Sequence, residues 1–162
     1  MKVVSNASVL IGLSSIDRLD LLSERFPGGI LLPPMVWTEV VEQGQGRPGA
    51  RQVAEAAWIS VQPLTATDLA QLLRSELEAG EAEAIALASE LKADVVLLDE
   101  LDARRAASRL GLSVLGTVGV LIWAKRTGKL PTLRQALDDL QNIGKFRLSQ
   151  ALYQKALQEV GE

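Results

Sequence analysis

Val95-Val96-Leu97-Leu98-Asp99, within ADVVLLDE at residues 93–100, decides the fold. Four apolar residues stand in a row and an aspartate ends the run. A half-solvated strand alternates apolar and polar residues, whereas an unbroken apolar run marks a strand covered on both faces, as in a parallel sheet. On either side the pattern turns helical. Glu81–Lys92 is an Ala-rich helix set off by Gly80, which breaks the helix before it. Glu100–Leu110 is a helix stopped by Gly111. A last short strand follows at Leu112–Leu115, then a strongly apolar helix at Thr117–Thr127. Two C-terminal helices cover Leu133–Gln141 and Ser149–Val160.

The N-terminal half repeats the alternation. Lys2–Ser5 reads as a strand, followed by helical pieces at Ser8–Leu13 and Arg18–Glu24, the second capped by Asp17. Phe26–Gly29 is a turn and Ile30–Leu32 a second strand. Pro33-Pro34 opens a helix running through Glu42, because proline suits a first helical turn. Gly44–Gly49 is an exposed loop, Ala50–Ala57 a helix and Trp58–Val61 an edge strand. Thr67 or Asp68 caps a helix to about Leu77. Strands alternating with helices imply an α/β chain, a mostly parallel sheet between two helical layers. At 162 residues it fits a single domain, 1–162.

Composition narrows the chemistry. The chain has neither Cys nor His. Disulfides, thiolate nucleophiles, zinc fingers and Ser-His-Asp triads are excluded. What remains is Asp, Glu, Ser, Thr, Lys, Arg, Asn, or a metal held by oxygen, which favours hard ions such as Mg²⁺ or Mn²⁺. No apolar run approaches a membrane span, and no secretory leader is legible, so the expected location is cytoplasmic. The net charge of −3 hides an asymmetry: residues 1–99 carry −7 and residues 100–150 carry +5. That arrangement either sets phosphate-binding charge beside an acidic site or is ordinary surface variation.

In open parallel sheets, sites form outside the carboxyl ends of the strands, where strand order reverses. Asn6 and Asp99 fall at two such ends and face each other if their strands are neighbours. Capping of the next helix is the competing account of Asp99. Glu39 lies at the edge of an apolar helical face formed by Val36, Trp37, Val40 and Val41. It points into a cleft or into solvent. Glu81 and Glu83 lie about 200° apart around their helix. The helix dipole accounts for Glu81. Glu83 sits on the side of Ala86 and Leu87, where a carboxylate is costly unless paired or metal-bound. Asp102, three residues after Asp99, either converges on the same ion or is solvated. No Gly-x-Gly-x-x-Gly or phosphate-loop motif is present, which argues against a nucleotide-binding domain.

Val3-Val4-Ser5-Asn6-Ala7-Ser8, Val36-Trp37-Thr38-Glu39-Val40, Gly80-Glu81-Ala82-Glu83-Ala84-Ile85, Leu97-Leu98-Asp99 and Gly116-Thr117, in that order, resemble PIN-domain proteins. The resemblance covers roughly residues 2–130 and points to an uncharacterised prokaryotic family similar to VapC-type toxins. It implies a five-stranded sheet of order 3-2-1-4-5, which sets the first and fourth strands side by side. It also implies a metal-dependent ribonuclease, with Asn6, Glu39, Glu83 and Asp99 as the catalytic and metal-holding positions around Mg²⁺ or Mn²⁺. Glu81 competes with Glu83 for the third place. Ser8, Asp102 and Thr117 are secondary positions, Glu100 is an alternative outer ligand, and Arg104, Arg105 and Lys125 are candidates to steady phosphates. The resemblance further implies RNA as substrate, an antitoxin partner and a homodimer, for which Leu121 and Trp123 would supply apolar surface unless they are core. Asn6 departs from the pattern, since most such nucleases have Asp there. An amide oxygen can still ligate a hard ion, with one charge fewer. The alternative reading is therefore a catalytically weak RNA- or protein-binding regulator.

Overall fold

The computed structural model describes residues 1–162. Its centre is a row of short apolar strands: Val3–Ser5 (β1), Ile30–Leu32 (β2), Ile59–Val61 (β3), Val95–Leu97 (β4) and Val114–Leu115 (β5). They form one sheet of order β3-β2-β1-β4-β5, and every pairing is parallel. The unbroken Val-Val-Leu run is explained by this placement. Val96 and Leu97 are fully buried, as are Val3 and Val4 beside them. β3 lies at the sheet edge, as its sequence suggests, and two of its three residues are exposed.

Ten helices flank the sheet: Ala7–Ser15 (α1), Asp20–Arg25 (α2), Pro34–Trp37 (α3), Ala50–Glu55 (α4), Asp68–Leu73 (α5), Ala79–Leu91 (α6), Leu101–Arg109 (α7), Thr117–Arg126 (α8), Leu133–Asn142 (α9) and Gln150–Glu159 (α10). α6 lies against β1 and β4 and packs with α3, α5 and α7. α8 packs with α1, α2, α9 and α10. A continuous core joins Val3 to Leu157. No helix is long and apolar enough to cross a membrane.

Several local expectations are corrected. Gly80 does not break a helix; it is the second residue of α6, which begins at Ala79 after Glu78. The helix opened by Pro33-Pro34 does reach Glu42, but Thr38–Glu42 is a π-helical turn. Asp17 caps nothing. It turns the chain in the left-handed region (φ 58°), and Leu19 precedes α2. Leu121 is fully buried, and Trp123 is half-buried with the cations of Arg25 and Lys129 over its ring. Both belong to the packed body of the chain, not to a free apolar face.

Candidate active site

Because all strands run the same way, their carboxyl ends share one edge. β1 and β4 are adjacent, with Ser5 opposite Leu97, and the Asn6 amide continues the ladder to the Leu97 carbonyl at 3.1 Å. Strand order reverses between these two strands, so Asn6 and Asp99 emerge together at the switch point. Ser8, on the first turn of α1, bridges them. Its Oγ lies 3.1 Å from Asn6 Oδ1 and 2.9 Å from Asp99 Oδ2. A hydroxyl has one proton to give, so the two acceptors compete for it. Asn6 is buried (3% exposed) and makes no side-chain cap on α1.

Asp99 does not cap the helix that follows it; Glu100 stands before α7. Its carboxylate instead seats on α8. Oδ1 accepts from the Thr117 backbone N–H at 2.7 Å, and Oδ2 accepts from the Thr117 hydroxyl at 2.8 Å. With Ser8 added, three donors surround the carboxylate and fix its orientation.

The glutamates form a second group. Glu39 lies in the π-helical turn, and its carboxylate reaches the first turn of α6 at Gly80. Glu83 reaches the other way, from α6 to the start of α3, and accepts from the Met35 N–H at 3.2 Å. Pro33 and Pro34 have no N–H, so Met35 offers the first free amide of that helix. Glu81 turns back on its own helix and accepts from the Glu78 N–H at 3.3 Å. The structure thus separates the two competing residues: Glu83 bridges to the start of α3 and Glu81 closes its own helix end.

Burial raises the Glu39 carboxyl above its ordinary range, and the charges of Glu78 and Glu83 add to this, against the lowering effect of the Gly80 amide. Burial likewise raises Glu81, with Glu78, Glu100 and Glu39 contributing, although its hydrogen bond from the Glu78 amide works against the rise. No Lys or Arg forms an ion pair with Glu39, Glu81, Glu83 or Asp99. An oxygen-rich cluster of this kind, short of positive charge, suits a hard divalent cation. The ligands stand in two groups, however, and no three acidic side chains lie close enough together to hold one ion.

A family model described as DUF3368: PIN domain matches residues 2–162. The chain belongs to the PIN-domain family. The match covers the two C-terminal helices as well as the sheet, so it extends past the residues that carry the motifs. No curated protein and no solved structure matches this PIN domain.

The remaining expected residues are placed less centrally. Asp102 and Arg105 are exposed and have no hydrogen-bond or ion-pair partner. Arg104 is half-buried and donates to the Leu98 carbonyl at 3.1 Å, below Gly116 and beside Asp99. Lys125 is far from the strand ends. It lies eight residues along α8 from Thr117, about 12 Å, and binds the Pro131 carbonyl at 2.9 Å. Sequence reasoning missed Glu78, whose charge acts on both Glu39 and Glu81, and the Met35 amide. The doubled proline before Met35 was a usable signal for the latter.

Proposed function

We propose that this PIN domain is a metal-dependent endoribonuclease that hydrolyses RNA phosphodiester bonds. What supports the reading is a pair of oxygen-rich groups, Asn6 with Asp99 at the carboxyl ends of β1 and β4 and Glu39 with Glu83 between α6 and the helix of residues 34–42, none of whose carboxylates is held in an ion pair. On this reading Asn6 and Asp99 from one side and Glu39 and Glu83 from the other would have to close on Mg²⁺ or Mn²⁺, since no three of the acidic groups meet around one point in this structure. Bound there, the ion would lower the pKa of an attacking water and offset charge on the phosphate and leaving oxygen.

The chain's own residues do the rest. Thr117 and Ser8 hold the Asp99 carboxylate in a fixed orientation. The Met35 amide fixes Glu83 from the opposite wall. Glu39, raised by burial and by the charges of Glu78 and Glu83, gains most from a cation that would offset that repulsion. Arg104 steadies the end of β4 rather than reaching freely for a phosphate.

The family resemblance also supports a toxin of a toxin–antitoxin pair, working as a homodimer under an antitoxin. A second reading is favoured by Asn6 and by the split ligand set: a weak catalyst that binds RNA or protein as a regulator. One experiment separates them. Mixed single-stranded RNA is incubated with Mg²⁺ or Mn²⁺ and wild type, Asp99→Asn or Glu83→Ala, with calorimetric Mn²⁺ titration alongside. Cleavage by wild type alone supports the nuclease. Metal binding without cleavage supports the regulator. Absence of Mn²⁺ binding by wild type removes the metal-dependent reading.

A further inference from the structure

Two of the site carboxylates lie where a glycine leaves space. A Cβ built on Gly80 would come within 2.5 and 2.7 Å of the two Glu39 carboxylate oxygens and 2.8 Å of their carbon. Those are its three nearest neighbours, so the Glu39 carboxyl fills the space a side chain at 80 would take. A Cβ on Gly116 would lie 2.7 Å from Arg104 Nη1 and 3.0 Å from Asp99 Oδ1. Real Cβ contacts essentially never fall below 3.0 Å. Gly80 has no positive φ to require glycine, and at the second position of α6 it is neither the N-cap nor the C-cap of a helix. The helix gains nothing from it; the carboxylate does.

We propose that Gly80 is a positioning residue, whose bare Cα is the seat that brings the Glu39 carboxylate to the first turn of α6. Glu83 returns the contact by reaching from α6 to Met35, so the continuous helix of residues 34–42 and α6 each receive a carboxylate from the other. Any side chain at 80 displaces Glu39 rather than the helix, because Glu39 is the flexible partner. The functional meaning of the seat rests on the metal-dependent reading above; the seat itself does not.

The test compares wild type, Gly80→Ala, Glu39→Asp and the double variant. Gly80→Ala is expected to fold, with a melting temperature equal to or above wild type, and to bind Mn²⁺ about 10- to 100-fold more weakly, as lost support of a metal ligand does. In the Glu39→Asp background the shorter side chain leaves room for the methyl group, so adding Gly80→Ala is expected to cost little further affinity. Equal Mn²⁺ affinity of Gly80→Ala and wild type, or the same penalty in both backgrounds, would overturn the proposal. A metal-free readout separates its failure from failure of the nuclease reading: the ¹³C resonance of the Glu39 carboxyl in labelled protein. It is expected to move in Gly80→Ala, and an unmoved resonance refutes the seat whether or not wild type binds Mn²⁺.

Discussion

Replacing Asn6 with Asp tests the charge logic of the site without any RNA. The Asn6 and Asp99 oxygens share one Ser8 hydroxyl at 3.1 and 2.9 Å, which sets them about 5 Å apart at a tetrahedral angle. Two carboxylates at that distance repel by about 3 kcal/mol at an effective dielectric of 20, and by about 1 kcal/mol in water. Asn6 is buried and Asp99 half-buried, so the upper part of that range is expected. Ser8 can relieve only one of them. For a chain of this size each kcal/mol is worth about 2–4 °C, so Asn6→Asp should melt roughly 2–10 °C below wild type in EDTA. A divalent cation between the carboxylates reverses the sign. Mn²⁺ at 100 times its Kd adds about 2.7 kcal/mol of stability. The variant should therefore regain its melting temperature in Mn²⁺ and bind the ion about tenfold or more tightly than wild type. Differential scanning fluorimetry with and without Mn²⁺, followed by calorimetric titration, measures both quantities. An unchanged melting temperature in EDTA together with unchanged Mn²⁺ affinity would refute the placement of Asn6 in the metal site.

Thr117→Val removes the hydroxyl at 2.8 Å from Asp99 but keeps the shape of a fully buried side chain. Loss of a hydrogen bond to a charged group should cost about 1.5–3 kcal/mol, and denaturant unfolding with an unchanged midpoint would show that the bond contributes nothing. Glu39→Gln should change the pH dependence of stability. Burial, then the charge of Glu78, raises the folded pKa above the ordinary 4.5, so ionisation disfavours the fold. That penalty is absent below about pH 4.5, grows as pH rises through the folded pKa, and is complete above it. The variant should gain on wild type across that window, and parallel melting curves at all pH values would contradict it. Glu162→Gln should behave in the opposite sense. Burial raises the Glu162 carboxyl, but the Leu133 and Arg134 amides and the nearby Lys125 and Arg134 charges outweigh it and lower the pKa. Its contribution is present above the unfolded pKa and lost as pH falls through the folded one. Wild type should exceed the variant at neutral pH and converge with it in acid, as thermal melts across that range would record.

The sheet was legible because its signal is local: an unbroken Val-Val-Leu run has one physical explanation, burial on both faces. The meeting of Asn6 and Asp99 was legible once strand order was supplied, because neighbouring parallel strands end at the same edge. What escaped were contacts made by residues distant in sequence. Asp99 sits one residue before a helix cap, so a local rule assigns it to α7, yet its donors come from Thr117. Gly80 reads as a helix breaker until Glu39 is seen filling its empty side. The basic stretch after residue 100 misleads for the same reason. Lys125 and Arg126 pair with Glu162 and Glu159, and Lys129 pairs with Glu24. Those three cations tie α8 and the residues after it to the C-terminus and to α2, and are not free for phosphate.

One pattern connects the site carboxylates. Each leaves its own element for the first turn of another helix: Asp99 to α8, Glu83 to α3, Glu39 to α6. A helix N-terminus carries about half a positive charge, so three such ends offset roughly half of three carboxylates. Backbone amides thus hold Glu39 and Glu83 without an ion-pair partner, while Asp99 has the Arg104 guanidinium nearby but not in an ion pair. Helix ends offset only part of a full charge, and the Glu39–Glu83 side has no cationic side chain in an ion pair, which is where a divalent cation would gain most on the proposed reading. Asn6 occupies the one position where a further carboxylate would share a hydroxyl with Asp99 instead of having a helix end to itself. An amide there holds the metal-free site together at the expense of metal affinity. The same substitution that strengthens Mn²⁺ binding must therefore weaken the metal-free fold, and observing one effect without the other would separate charge from geometry at this site.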